Sequence, residues 1–71
     1  MSKDEAKKLE AYFRRLFKNP SIRVVPHIKK KEMAEVFVGE DFVGPIYKDT
    51  EDGETSWSFQ MAVLEMDLED E

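Results

Sequence analysis

Residues 12–26 read Tyr12-Phe13-Arg14-Arg15-Leu16-Phe17-Lys18-Asn19-Pro20-Ser21-Ile22-Arg23-Val24-Val25-Pro26. Up to Phe17 the apolar side chains recur at the spacing of a helix face, and from Ile22 they change to the two-residue alternation of a strand. Asn19-Pro20 marks the change, because a proline ring disfavours α geometry at the residue before it. Extended backwards, the helical period takes in Ala6, Leu9, Tyr12, Phe13, Leu16 and Phe17, all within an arc of roughly 140°. Ser2 with Glu5 has the spacing of a capping box, each side chain satisfying a backbone N–H of the first turn. A helix over about 3–18 follows. Its apolar stripe must lie on something, since a helix of this length is marginal alone in water.

Extended forwards, the two-residue period continues. The first strand, about 21–26, is stopped by Pro26, which has no N–H for a ladder. After a basic loop, residues 33–38 put Ala34, Val36 and Val38 on one face and Met33, Glu35 and Phe37 on the other. Gly39-Glu40-Asp41 is a tight turn into a strand at about 42–48, and the two runs read as a hairpin. Pro45 places that third strand at an edge or a bulge. An acidic turn around Gly53 leads to a last strand, about 55–67. In it Trp57, Phe59, Met61 and Val63 share a face, then Leu64, Met66 and Leu68 take the opposite phase. A bulge near Ala62-Val63 would produce that change. The expected fold is α+β in two layers, an N-terminal amphipathic helix on a four-stranded antiparallel meander, as one domain over 1–71. Under the helix, Val24, Val36, Val38, Trp57 and Phe59 are the expected partners. Glu69-Asp70-Glu71 forms an acidic tail.

At 71 residues, with 41% hydrophobic and 38% charged residues, the chain has the composition of a small soluble globular domain. The absence of cysteine removes thiolate catalysis, disulfides and Cys-based zinc sites. No apolar run approaches the ~20 residues of a membrane span, and the first residues lack signal-peptide or myristoylation features. A cytoplasmic protein is expected. Charge is divided: residues 1–32 carry ten of the eleven Lys/Arg and four acids, a net of +6, against −11 for residues 33–71. Such a division suits two faces with different partners, an acidic part shielding a basic one, or plain solvated surface.

The sequence offers little for catalysis. The single histidine, His27, stands beside Lys29-Lys30-Lys31 with no serine placed to meet it, and the acids gather in turns and the tail rather than in a buried pair. The turn at Asp49–Glu54 fails as an EF-hand loop: with Gly53 at position six, Lys48 and Phe59 fall where carboxylates must stand. No catalytic residue, metal, cofactor or small-molecule substrate is expected, and the chain reads as non-enzymatic.

Two kinds of partner remain. One helix cannot cover both faces of a sheet, and a meander has two edges able to accept a strand. Phe37, Leu64, Met66 and Leu68 are therefore candidates for binding another protein or a second copy, through the open face or an edge strand. The alternative is RNA or single-stranded DNA bound through Lys7, Arg14, Arg15 and Lys18 of the helix and the Lys29, Lys30 and Lys31 loop, as phosphate contacts. Against it, Asp4–Lys8 and Glu10–Arg14 are acid-before-base pairs at i,i+4 that stabilise the helix with no ligand.

The run Tyr12-Phe13-Arg14-Arg15-Leu16-Phe17, with Asn19-Pro20 and Ile22-Arg23-Val24-Val25-Pro26, resembles a family of small uncharacterised alphaproteobacterial proteins, a domain of unknown function. Ala34-Glu35-Val36-Phe37-Val38-Gly39 and Asp52-Gly53-Glu54 with Phe59-Gln60-Met61 extend the resemblance over nearly the whole chain. It implies a bacterial, cytoplasmic, stand-alone domain and carries over no functional residue.

Overall fold

A computed structural model describes residues 1–69. One helix, α1 (Lys3–Phe17), precedes four strands, β1 (Ile22–Pro26), β2 (Met33–Val38), β3 (Asp41–Asp49) and β4 (Ser56–Phe59). The strands form one antiparallel sheet in the order β1-β2-β3-β4, so β1 and β4 are its edges. This is the expected α+β meander.

The N-terminus of α1 is closed by the Ser2–Glu5 capping box. Its C-terminus turns at Lys18, which is left-handed at φ 54°, and Asn19 N–H donates back to the Arg14 carbonyl at 3.1 Å. From there the chain reverses into β1. Ala6 and Phe13 of the helix are buried against Ile22, Val24, Ala34, Val36 and Ile46, with Leu9, Val38, Val43 and Phe59 packed around them. The Phe13 ring anchors an aromatic group, 5.9 Å from Phe17 and 5.8 Å from Phe59. The helix packs chiefly on β1. Tyr12, Leu16 and Phe17, expected on the covered stripe, stay about half exposed, since α1 meets chiefly one edge strand rather than the whole sheet.

Three expectations about the sheet need correction. The third strand is central, not an edge: β3 pairs with both β2 and β4. A bulge does lie near Pro45, but at Val43, where Val36 faces Gly44 and Phe37 faces Phe42. Pro45 is tolerated because its carbonyl, accepting from Gln60 N–H at 3.0 Å, points to the β4 side. Its missing N–H points the same way, at the place where β4 ends.

The last strand stops at Phe59, not 67, and there is no bulge at Ala62-Val63. After Phe59 the backbone leaves the edge and crosses the sheet at Gly44. A Cβ there would lie 2.0 Å from the Gln60 carbonyl oxygen, so only glycine permits the crossing. Met61 then joins Phe17, Val38 and Val43 beside the C-terminal half of α1. The change of phase after Val63 thus marks chain that has left the sheet and ends in a 3-10 turn, Glu65–Leu68. Of the expected acidic tail, Asp70 and Glu71 lie outside the described residues.

Candidate functional site

The two sheet edges are finished differently. Along β1, Ile22 and Val24 turn their backbone groups away from β2, and α1 meets them with side chains. Glu10 Oε1 accepts from Val24 N–H at 2.9 Å, and Arg14 Nε donates to the Ile22 carbonyl at 2.8 Å. Glu10 and Arg14 are joined to each other at 3.4 Å. The pair that the sequence offers as ordinary helix stabilisation therefore also occupies one outward donor and one outward acceptor of an edge strand, which opposes strand addition.

Among the described residues nothing comparable covers β4. Ser56, Ser58 and Gln60 face β3, so Trp57 and Phe59 direct their N–H and C=O groups outward. Among the described residues none takes those groups. The strand reads Ser56-Trp57-Ser58-Phe59, without the lysine or proline that usually blunts a free edge.

Beside this edge lies a groove of about 590 Å³ between α1 and the β3–β4 half of the sheet. Leu9, Tyr12 and Phe13 form its helix wall, Ile46, Trp57 and Phe59 its floor, and Glu5 and Lys8 its rim. The groove exists because the helix lies over β1 and the Gln60–Met61 crossing covers only the far half of β3. Trp57 was expected beneath the helix. It is on the helix side but 36% exposed, and Tyr12 opposite it is 49% exposed. At the mouth, Lys48 of β3 pairs with Glu5 of α1. The hydrogen bond from Lys48, aided by the Ser2 backbone N–H, holds the Glu5 carboxyl below its ordinary range, and the same bond raises Lys48.

The residues singled out as partner-binding come from two elements, β2 and the segment after β4. Phe37 is on the sheet face away from α1, half-buried, with the Arg23 guanidinium 4.8 Å above its ring and Phe42 edge-on at 5.6 Å. Arg23 is held there by hydrogen bonds to the Gly39 carbonyl. Leu64, Met66 and Leu68 are exposed in the segment after the crossing, the last two at 72% and 73%.

The basic residues are divided as well. Lys7, Arg14, Arg15 and Lys18 line a shallow depression with Glu10, Asn19 and Pro20. Lys29, Lys30 and Lys31 are in the loop between β1 and β2 and do not line that depression. His27, which looked idle, orders that loop: its Nδ1 accepts from Lys29 N–H and Lys30 N–H, both at 3.1 Å. Such acceptance requires the tautomer with its proton on Nε2. Among the described residues no group of three or more His, Asp or Glu side chains could hold a metal, and no helix is long and apolar enough to cross a membrane.

Sequence reasoning missed the edge asymmetry and the groove. The signal was present in part: the last strand of a meander is an edge, and Trp57 and Phe59 stand on it. The position of the helix over β1 rather than the sheet centre had no sequence signal.

A family model described as "Protein of unknown function (DUF3126)" matches residues 5–67. The match takes in the helix from Glu5, all four strands and every residue lining the groove. No curated protein and no solved structure matches the chain.

Proposed function

The chain belongs to that family of unknown function, and we propose that it is a non-catalytic protein-interaction module that takes an added strand on β4. The observation that carries this is the asymmetry of the edges: Glu10 and Arg14 take the Val24 N–H and the Ile22 carbonyl of β1, while among the described residues none takes the outward groups of β4, which runs beside an apolar groove. An incoming strand would satisfy the outward groups of Trp57 and Phe59. Its alternate side chains would enter the groove, the mode in which main-chain bonds give affinity and pockets give specificity. The complementary pattern is apolar toward Leu9, Tyr12 and Trp57 and polar toward Ser56 and Ser58.

Nucleic-acid binding has less support. Arg14 is engaged with Ile22 and Glu10, and the loop lysines do not line the depression formed by the helix residues. Of the exposed aromatics, Tyr12 lies under the Arg15 guanidinium at 5.8 Å but lines the groove with Trp57, and Phe42 packs on Phe37.

Selection from a displayed library of extended peptides tests the reading. Peptides of alternating apolar and polar residues should be enriched, should change the fluorescence of Trp57, the chain's one tryptophan, and should fail to bind a Phe59→Asp variant. Enrichment of peptides that bind this variant equally, or of none at all, would count against strand addition.

A further inference from the structure

We infer that the strand added to β4 is the β4 of a second copy, related by a two-fold axis through Ser58. The inference rests on the interaction reading above and names its partner. In an antiparallel self-pairing the outward residues Trp57 and Phe59 must meet each other's backbone groups. Over a strand of only Ser56–Phe59, the register that uses all of them sets Trp57 opposite Phe59 of the second copy. Ser58 then faces its own counterpart as a non-hydrogen-bonded pair.

Three features of the chain suit this arrangement. A two-fold axis brings like against like, so a charged residue near it would repel itself, and Ser-Trp-Ser-Phe carries no charge although 38% of the chain is charged. Each axis-related pair on the groove side is aromatic, Trp57 against Phe59, the cross-strand type that adds stability. The acidic cluster Asp49, Glu51 and Glu54, which adjoins Ser56, falls at opposite ends of the joined strands, so the two clusters do not face each other. The pairing also closes. The outer edges of the eight-stranded sheet would both be β1, where Glu10 and Arg14 occupy the Val24 N–H and the Ile22 carbonyl, so further strand addition is opposed and assembly stops at two copies.

The chain has no cysteine, so Ser58→Cys places a single thiol on the axis, where the paired Cα atoms would stand ~4.5 Å apart, within disulfide reach. Under mild oxidation it should form a covalent dimer rapidly, while Glu40→Cys, in the β2–β3 turn, should not. Ser58→Glu and Ser58→Lys should each self-associate more weakly than the wild type in sedimentation at low salt, and their equimolar mixture should dimerise about tenfold more tightly than either alone. Ser58 is exposed, and circular dichroism checks that each variant is folded. A wild-type chain that sediments as a monomer at all concentrations would overturn the self-pairing. So would a dimer in which Ser58→Cys cross-links no faster than Glu40→Cys, or in which the charge variants gain nothing on mixing. Library peptides that still bind β4 in such a monomer would leave the interaction reading standing. Failure of both would remove it too.

Discussion

Glu10→Ala should damage the protein in two separable ways. The substitution removes the acceptor of Val24 N–H, a 2.9 Å bond in a part-buried position, and leaves Arg14 holding only the Ile22 carbonyl. A hydrogen bond to a charged group is worth ~1.5–3 kcal/mol, reduced where water can replace the lost partner, and the exposed i,i+4 pair adds ~0.3–0.5. A net loss of about 1–2.5 kcal/mol is expected. A chain of 71 residues has a total of roughly 4–10 kcal/mol at ~0.05–0.15 per residue, so the variant stays folded. Urea unfolding, with a slope of ~1 kcal/mol/M for a small domain, should show the midpoint falling by about 1–2.5 M. Glu10→Gln keeps an acceptor and should lose less than half as much. The second effect concerns assembly. With the β1 edge uncapped, copies joined at β4 acquire a second pairing site, so light scattering should detect species larger than dimers. A midpoint within error of an exposed control, Glu40→Ala, would refute the reasoning about the edge cap.

Gly44→Ala should cost about 1–3 kcal/mol by overpacking, because its Cβ would displace the Gln60 carbonyl, 2.0 Å away. Limited proteolysis should then cut at residues 60–64 in preference to the strands, and unchanged cleavage would contradict the crossing. Trp57→Ala should leave the domain folded, losing less than the ~3–5 kcal/mol of a fully buried aromatic because Trp57 is 36% exposed; near-ultraviolet dichroism and urea titration check this against Phe13→Ala, which should be the more damaging. The Glu5–Lys48 pair should give a stability plateau with two shoulders. Glu5 is lowered by Lys48, so its contribution is present above the unfolded carboxylate pKa and is lost as pH falls through the lower folded value. Lys48 is raised by Glu5, so its contribution is present below the unfolded lysine pKa and is lost as pH rises through the higher folded value. The stability difference between wild type and Lys48→Met should be constant between about pH 5 and 10 and shrink outside it; a difference that peaks inside that range would contradict the pairing.

Much of the fold was legible because local rules coincided. Ser2 and Glu5 cap α1, Asn19-Pro20 ends it, and the alternation of Ala34, Val36 and Val38 places β2 with the correct face inward. The errors came where tertiary geometry overrode periodicity. Pro45 pointed to an edge or a bulge; the bulge lies two residues away at Val43, and a central strand accepts the proline where its neighbour ends. Met61 and Val63 continued the phase of Trp57 and Phe59, yet the backbone had already crossed the sheet at Gly44. The candidate site was less legible. Period places Trp57 on the helix side, but whether a side chain on that side is covered depends on where the helix axis lies. That follows from Glu10 and Arg14 reaching β1, contacts between residues 14 and 8 positions apart whose sequence signal is only an ordinary helical ion pair.

Amide hydrogen exchange along β4, resolved residue by residue over a range of protein concentrations, tests most directly whether β4 is a bare edge that takes a strand. At high dilution Trp57 and Phe59 should exchange rapidly, while Ser58 and Gln60, which face β3, are protected. As concentration rises, Trp57 and Phe59 should become protected together and Ser58 should change little. Protection of Trp57 and Phe59 that is already complete at dilution would mean the chain covers its own edge. Exchange that stays fast at every concentration would mean no second copy pairs with it.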